Sequence, residues 1–439
     1  MRSPNPRVVA RHLAIAALAG PWNAVALARR FVASFRPAPH WLADLARALV
    51  DRYDAAQAAA LDVDTLTDRL HRDALVRDGI ARGEIPVPRT AVADVGPPSL
   101  DVPGLPVITT DAELADRLEL DAGELVWLAD EWSQEARRAE GPQRHYRYRW
   151  LARDYGPDRL IEMPKPRLRD AQRLIHQALL RHVPVHAAAQ GFVRGRGAIG
   201  HARLHTGAAW VVRLDLSQFF CRITRPRVRG VFALLGYDAR VAALLAALCT
   251  NRVPTPVIAA APHGAPSWEQ RQLLRMPHLP QGAPTSPALA NLVAYALDVR
   301  LAALATTFGA TYSRYADDLT FSHPRWSRAA ASRCARTAAV VAAECGFTIN
   351  PRKTLVMGAQ HAQTVTGVVV NRHANLARRD YDRLKAILAN CVRHGPASQN
   401  RDGRADFRAW LRGHLAHAQA INPARAGKLV ALYARIDWN

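Results

Sequence analysis

Thr311-Tyr312-Ser313-Arg314-Tyr315-Ala316-Asp317-Asp318-Leu319-Thr320-Phe321-Ser322 is the stretch that decides how this chain is read. Aromatic and β-branched residues alternate with polar ones on both sides of its centre, which is the mark of two short strands. Aspartate favours turns and is poor in strands, so the stretch predicts a hairpin with Asp317 and Asp318 at its tip. Adjacent carboxylates repel each other. A bound hard cation would relieve that repulsion, and an ion such as Mg²⁺ usually takes one or two protein carboxylates together with substrate phosphates. A solvated turn would explain the pair as well, so the rest of the chain has to decide.

Upstream, Trp210-Val211-Val212-Arg213-Leu214-Asp215-Leu216 reads as a strand, followed by Ser217-Gln218-Phe219-Phe220. Asp215 shares a strand face with Arg213 and Val211. An acid in an otherwise apolar strand is unfavourable unless it is paired or bound to metal. Three carboxylates from a strand and a neighbouring hairpin can hold two cations about 3.5–4 Å apart. Between the two acidic sites lies Leu279-Pro280-Gln281-Gly282-Ala283-Pro284-Thr285-Ser286-Pro287, a rigid loop entering a helix expected over 288–304. A helix N-terminus suits phosphate or ribose contacts, and capping by Thr285 or Ser286 is the plainer use. Downstream, Gly346-Phe347-Thr348-Ile349-Asn350-Pro351-Arg352-Lys353-Thr354 carries one of only four lysines in the chain. Lysine can give up a proton and arginine effectively cannot.

The 439 residues include 59 Lys and Arg against 37 Asp and Glu, a formal net charge of +22. Arginine binds phosphate with a planar, permanently charged fork, so a polyanionic partner is expected, nucleic acid first. A GC-rich coding bias would favour arginine over lysine but would not produce the excess of basic over acidic residues. The five cysteines (Cys221, Cys249, Cys334, Cys345 and Cys391) are scattered without a C-x-x-C, which suggests neither zinc nor a disulfide framework and fits a reducing cytoplasm. The apolar run 13–20 is short and continues into an Arg-bearing amphipathic helix over 22–35, so it reads as helix rather than export signal. No run approaches transmembrane length.

Residues 1–80 read as helices, with apolar spacing clear in 41–50 and 61–75. A Pro-rich linker or arm spans 83–107. Thr110 starts a new unit, with two short helices in 114–132 whose Glu124, Asp130 and Glu131 have the wrong sign for a DNA-reading helix-turn-helix. The stretch 137–181 is the most basic. Its Tyr146-Arg147-Tyr148-Arg149-Trp150 alternation predicts a strand able to hold phosphates and stack bases, and Arg153 and Tyr155 extend the pattern. Arg159–Pro164 precedes a helix over 168–180, and Gly191-Phe192-Val193-Arg194-Gly195-Arg196-Gly197 is a flexible basic loop. Helix is expected over 227–248, a Pro-rich polar loop over 251–277, a helix over 326–345, a strand over 365–371 and a helical basic tail broken at Asn422-Pro423.

The ordered set of Asp215 with Phe219-Phe220, Gln281–Pro287, Tyr315–Asp318 and Gly346–Lys353 resembles the reverse transcriptases. More narrowly it is similar to the bacterial retron class, on Val365-Thr366-Gly367 and His201-Ala202-Arg203-Leu204-His205; His201 stands where that class usually has Asn. The resemblance covers about residues 110–439. It implies an α+β right-hand polymerase with fingers at 108–210, a palm with an antiparallel sheet at 211–370 and a helical thumb at 371–439. Residues 1–107 would be a helical N-terminal extension with its Pro-rich linker.

The same resemblance implies roles. Asp215 and Asp317 would bridge two Mg²⁺ ions, with Mn²⁺ as an alternative, and Asp318 and the Leu216 carbonyl would complete the site. Phe220 would exclude a ribose 2′-hydroxyl, beside Phe219, although a core aromatic is the simpler use of Phe220. Arg159 would grip the triphosphate, Gln281 would position the nucleotide, and Lys353 would neutralise or protonate the leaving group. Generic phosphate contacts would also account for Arg159 and Lys353. Arg194, Arg196, Tyr315, Thr366 and Gly367 are the expected nucleic-acid contacts. Implied partners are a cognate structured noncoding RNA that serves as template and primer, its DNA product, dNTPs and an effector protein, with no membrane and a link to phage defence. Other bacterial reverse-transcriptase lineages, intron-encoded or diversity-generating, and a non-catalytic RNA-binding scaffold are the competing readings. Val365-Thr366-Gly367, and the lack of a maturase-like or Cys/His endonuclease module after the thumb, argue against the intron type; Asp215, Asp317, Asp318 and Lys353 argue against the scaffold.

Overall fold

Two basic strands open the folded region that carries the site. β1 (Tyr146–Leu151) pairs antiparallel with β2 (Arg159–Pro164), Tyr146 opposite Pro164. The computed structural model describes residues 6–18, 22–35, 39–84, 102–152, 158–262 and 266–438. Residues 85–101 of the expected linker, and Arg153 and Tyr155, lie outside them. The strand alternation of β1 is as expected, with its aromatics on the inward face, Tyr146 buried and Tyr148 and Trp150 partly so. The polar atoms of all three rings are engaged. Gln172 donates to the Tyr146 hydroxyl at 3.0 Å, Asn251 to that of Tyr148 at 3.1 Å, and the Trp150 indole N–H donates to the Val257 carbonyl at 2.9 Å. Arg147 and Arg149 face outward. The period-two alternation puts the aromatics on the inward face and the arginines on the outward one.

The principal sheet has five strands, all antiparallel. β3 (Trp210–Ser217) lies at its centre because Val211, Val212, Leu214 and Leu216 need burial on both faces. β4 (Thr311–Tyr315) and β5 (Asp318–His323) form the expected hairpin, and β5 pairs with β3. On the other edge of β3 sit β6 (Thr348–Ile349), beside Leu216 and Ser217, and β7 (Leu355–Gly358), beside Trp210–Arg213. Helix Arg328–Glu344 packs on β3, and helix Tyr295–Thr307 packs on β4.

Several elements differ from expectation. The stretch 365–371 is not one strand but a miniature hairpin of β8 (Thr364–Val365) and β9 (Val368–Val369). Thr366 and Gly367 both have positive φ, 46° and 82°, which is the geometry of a two-residue hairpin turn. The helix expected over 288–304 starts earlier and breaks into Ser286–Val293 and Tyr295–Thr307, bent by 49°. The polar loop 251–277 contains helices Thr255–Ala259, with Pro256 in its first turn, and Trp268–Arg275, capped by Ser267; both starts are ones proline and serine favour. The tail forms helices Arg378–His394, Phe407–Ile421 and Pro423–Ala434, the last capped by Asn422, around Leu388, Leu411 and Leu429.

Two compact units divide the chain: Met1–Asp101 with Ala233–Gly236, and Val102–Phe232 with Tyr237–Asn439. The first is a cluster of short helices, from Pro6–Leu18 to Ala74–Ala81, with a core of Val9, Leu13, Leu27, Phe31, Leu45, Leu49, Leu66 and Leu70. The second holds every strand described above. Among the described residues no single helix is long and apolar enough to cross a membrane.

Candidate active site

The hairpin between β4 and β5 turns in two residues. Tyr315 pairs with Asp318, which leaves Ala316 and Asp317 as the loop, and Ala316 takes φ 56°. Asp318 is therefore the first residue of β5 rather than part of the tip, and it lies directly opposite Asp215 of β3. Backbone bonds fix this register. The Leu216 N–H donates to the Asp317 carbonyl at 2.9 Å, and the Asn350 N–H donates to the Asp215 carbonyl at 2.8 Å. Lys353, in a tight turn over Pro351–Lys353, donates from Nζ to Asp215 Oδ2 at 2.9 Å. Arg213 Nη2 lies 3.5 Å from Asp318 Oδ1 and forms the weaker of the two ion pairs.

The acids are unequally compensated. Burial, then the charges of Asp318 and Asp215, push Asp317 above the usual carboxylate range. Burial also raises Asp318, against the opposing pull of Arg213. Among the described residues no three His, Cys, Asp or Glu side chains form a ready-made cation cage. Mutual repulsion among three carboxylates nonetheless suits a hard cation, and a set with too few protein oxygens fits an ion completed by substrate phosphates.

A cleft of about 1390 Å³ opens over these residues. It gathers Arg159, Asp215, Leu216, Phe219, Phe220, Gln281, Asp317 and Lys353 from the expected set. Phe219 is buried against Phe347, and Phe220 is only half-buried. The Gln281 carbonyl accepts the Glu162 N–H at 2.8 Å, and a Cβ at Gly282 would sit 2.9 Å from the Glu162 carbonyl oxygen, so the Gln281 loop is docked on β2. Glu162 is itself buried between His278, 3.1 Å away, and Asn251, 2.7 Å away. Asp318, Tyr315, Arg194, Arg196, Thr366 and Gly367 do not line this cleft. Tyr315 stacks on His201 with ring centroids 5.7 Å apart. Arg196 donates to the carbonyls of Ala187 and Ala189, and the Thr366 hydroxyl donates to the Ala198 carbonyl at 2.8 Å.

Several residues given no such role in the sequence reading hold the turn. Arg314, fully buried, donates to Asp298 at 2.8 and 2.6 Å, to Asn291 at 3.0 Å and to the Ala316 carbonyl at 3.1 Å. Tyr312 donates to the same Asp298 at 2.8 Å. Gly191 lies against the turn so closely that a Cβ would stand 2.7 Å from the Ala316 nitrogen. His201 is buried, and burial followed by the nearby Arg213 charge lowers it to about 4, so it packs under Tyr315 as a neutral ring. Position 298 carried no local signal, because its partner comes from another element, and Gly191 was legible only as part of a flexible basic loop, not by what it approaches.

An antiparallel sheet with an Asp strand beside an Asp-Asp hairpin, next to a cleft in a strongly basic chain, is the arrangement expected of a nucleotidyl-transferring polymerase. The family described as "Reverse transcriptase (RNA-dependent DNA polymerase)" matches residues 154–370. The Retron Mx65 reverse transcriptase of Myxococcus xanthus is 38% identical over 330 residues, covering 74% of this chain and 71% of the relative. The Retron Mx162 reverse transcriptase of the same organism is 34% identical over 352 residues, 76% of this chain and 68% of the relative. The Retron Ec86 reverse transcriptase of Escherichia coli is 28% identical over 297 residues, 66% of this chain and 82% of the relative. The chain belongs to the bacterial retron-type reverse transcriptases and is an RNA-directed DNA polymerase. Membership implies an RNA template, a DNA product and dependence on a divalent metal.

Proposed function

We propose that this enzyme copies a cognate structured noncoding RNA into single-stranded DNA, priming from a 2′-hydroxyl within that RNA, and that the product acts with an effector protein in anti-phage defence. The observation that carries the polymerase chemistry is the convergence of Asp215, Asp317 and Lys353 in the cleft, with Asp318 paired directly opposite Asp215.

Asp215, Asp317, Asp318 and the Leu216 carbonyl would hold two Mg²⁺ ions, or Mn²⁺ in their place. Those ions would supply Lewis-acid activation of the attacking hydroxyl and offset charge on the leaving pyrophosphate. Lys353 compensates Asp215 in the free enzyme and is half-exposed at the cleft wall, within reach of an arriving triphosphate that it neutralises or protonates. Arg159, exposed at the start of β2, grips that triphosphate. Gln281, anchored through its backbone on β2, positions the nucleotide. Phe220 excludes the ribose 2′-hydroxyl, with Phe219 behind it. Arg194, Arg196, Tyr315, the Thr366-Gly367 turn and the basic thumb helices meet RNA. We assign fingers, palm and thumb to 108–210, 211–370 and 371–439, and the cytoplasm as location, where thiols such as the buried Cys221, Cys249, Cys334 and Cys391 stay reduced.

The test is cellular. The gene is expressed with its flanking DNA, and nucleic acid is examined for a small, RNase-resistant single-stranded DNA. A discrete band that disappears in D317N/D318N supports the reading. Absence of a band from a protein that still extends a DNA primer on RNA would overturn the retron role and leave the polymerase intact.

A further inference from the structure

Segment 188–191 runs as a strap along the catalytic hairpin. Ala189 bridges in parallel to Arg314; the Arg314 N–H donates to the Ala188 carbonyl at 2.8 Å and the Gln190 N–H to the Arg314 carbonyl at 2.7 Å. Asn291 Nδ2 donates to the Gly191 carbonyl at 2.9 Å, and Gly191 then abuts Ala316. The following residue leaves this strap abruptly. Phe192 has φ 62°, a left-handed conformation in which a bulky side chain is an outlier. Such strain persists only where the surroundings impose it, and it concentrates at functional sites.

The flip carries the Phe192 ring into the cleft that also holds Asp215, Asp317 and Phe220. The ring is 48% exposed, so core packing does not account for its position. Its centroid lies 6.2 Å from that of Phe220 at 59°, within the range of favourable tilted aromatic pairs. Phe220 rests on Phe219 at 5.5 Å, and Phe219 is locked against Phe347 at 5.5 Å. Phe220 is thus supported by a buried ring on one side and by Phe192 on its open side.

We propose that Phe192 is a positioning residue for sugar selection: its ring walls the open side of Phe220 and keeps that side chain where a 2′-substituent would fall. The proposal deepens the reading of Phe220 as the ribose-excluding residue and rests on it. Because Gly191 abuts the turn that carries Asp317, one backbone strap sets both the sugar wall and the carboxylate turn.

The experiment is single-nucleotide incorporation by the purified full chain on an RNA template. It measures kcat and KM for a deoxynucleotide and for the matching ribonucleotide in wild type, F192A, F192Y and F220A. Alanine tolerates the left-handed backbone no worse than phenylalanine, so F192A removes the ring and leaves the strap. F220A is expected to reduce discrimination most. F192A is expected to reduce it about three- to tenfold, the range of one aromatic pair, chiefly by lowering KM for the ribonucleotide, and F192Y is expected to restore it. Three results would overturn the proposal. F220A relaxes selection while F192A discriminates as wild type does, which leaves the Phe220 reading standing. F192A weakens both nucleotides equally, which marks a merely structural ring. Neither variant relaxes selection, in which case the Phe220 reading falls with it.

Discussion

Charge is handled in opposite ways on the two sides of the Asp317-Asp318 hairpin. Behind it, Arg314 and Asp298 are fully buried, and Asn291, the Tyr312 hydroxyl and the Ala316 carbonyl are drawn into their network. In front, three carboxylates share two cations. Lys353 bonds Asp215 at 2.9 Å, Arg213 reaches Asp318 only at 3.5 Å, and Asp317 is left with raised proton affinity. The Arg314–Asp298 pair behind is matched and fixes geometry; the front is under-compensated, which on the proposed reading is what draws cations and phosphates. A saturated site could not do the second job, and an unsaturated buried one would not survive the first.

The largest effect should come from the front. D317N is expected to lower primer extension by about a thousandfold or more, as for loss of a group that acts as part of a catalytic unit, without loss of fold. Its effect on stability has a definite sign. The folded protein holds the Asp317 proton more tightly than the unfolded chain does, so without metal, stability falls as pH rises from the ordinary carboxylate range through the raised folded value. D317N should therefore melt slightly higher than wild type at neutral pH in EDTA, with the difference vanishing in acid. A lower melting point for D317N at neutral pH would erase the distinction between front and back.

Next comes the back. D298A strands the Arg314 guanidinium without its counter-ion, and denaturant melts should show a loss of about 3–5 kcal/mol. Activity per folded molecule should fall less than in D317N. A smaller effect is expected at the contact between strap and turn. G191A forces a Cβ to 2.7 Å from the Ala316 nitrogen, a backbone atom that cannot swing away. It should lose about 1–3 kcal/mol, as overpacking does, and lose activity because the Asp317 turn moves. The smallest change is R213M. Its pair with Asp318 is long and partly exposed, so stability should change by about 0.2–1 kcal/mol, with extension slowed only a few-fold. A collapse of activity in R213M would move Arg213 from support into the chemistry.

Local patterning made the front legible. The hairpin, the Asp215 strand, the Gln281 loop and the Lys353 turn each lie within a few residues of their own signal, and all four meet at one cleft. The back was not legible. Arg314 reads as one more basic residue in a strand, and nothing near Asp298 says that a helix will deliver it to that guanidinium. The same limit applies to Gly191, whose reason for lacking a side chain is Ala316, and to His201, which fills an Asn position by stacking under Tyr315. Where strand patterning misled, burial was the cause. The Tyr146, Tyr148 and Trp150 rings alternate with arginine because one face of β1 packs inward, not because both faces meet nucleic acid.

The most direct test of the account is extension of a DNA primer on an RNA template with Mg²⁺ by purified wild-type protein and by D317N, each with its melting temperature recorded separately in EDTA. The account predicts extension by wild type, none detectable by D317N, and a D317N that melts no lower than wild type. Extension by D317N at the wild-type rate, or a folded wild type that extends nothing, would contradict it.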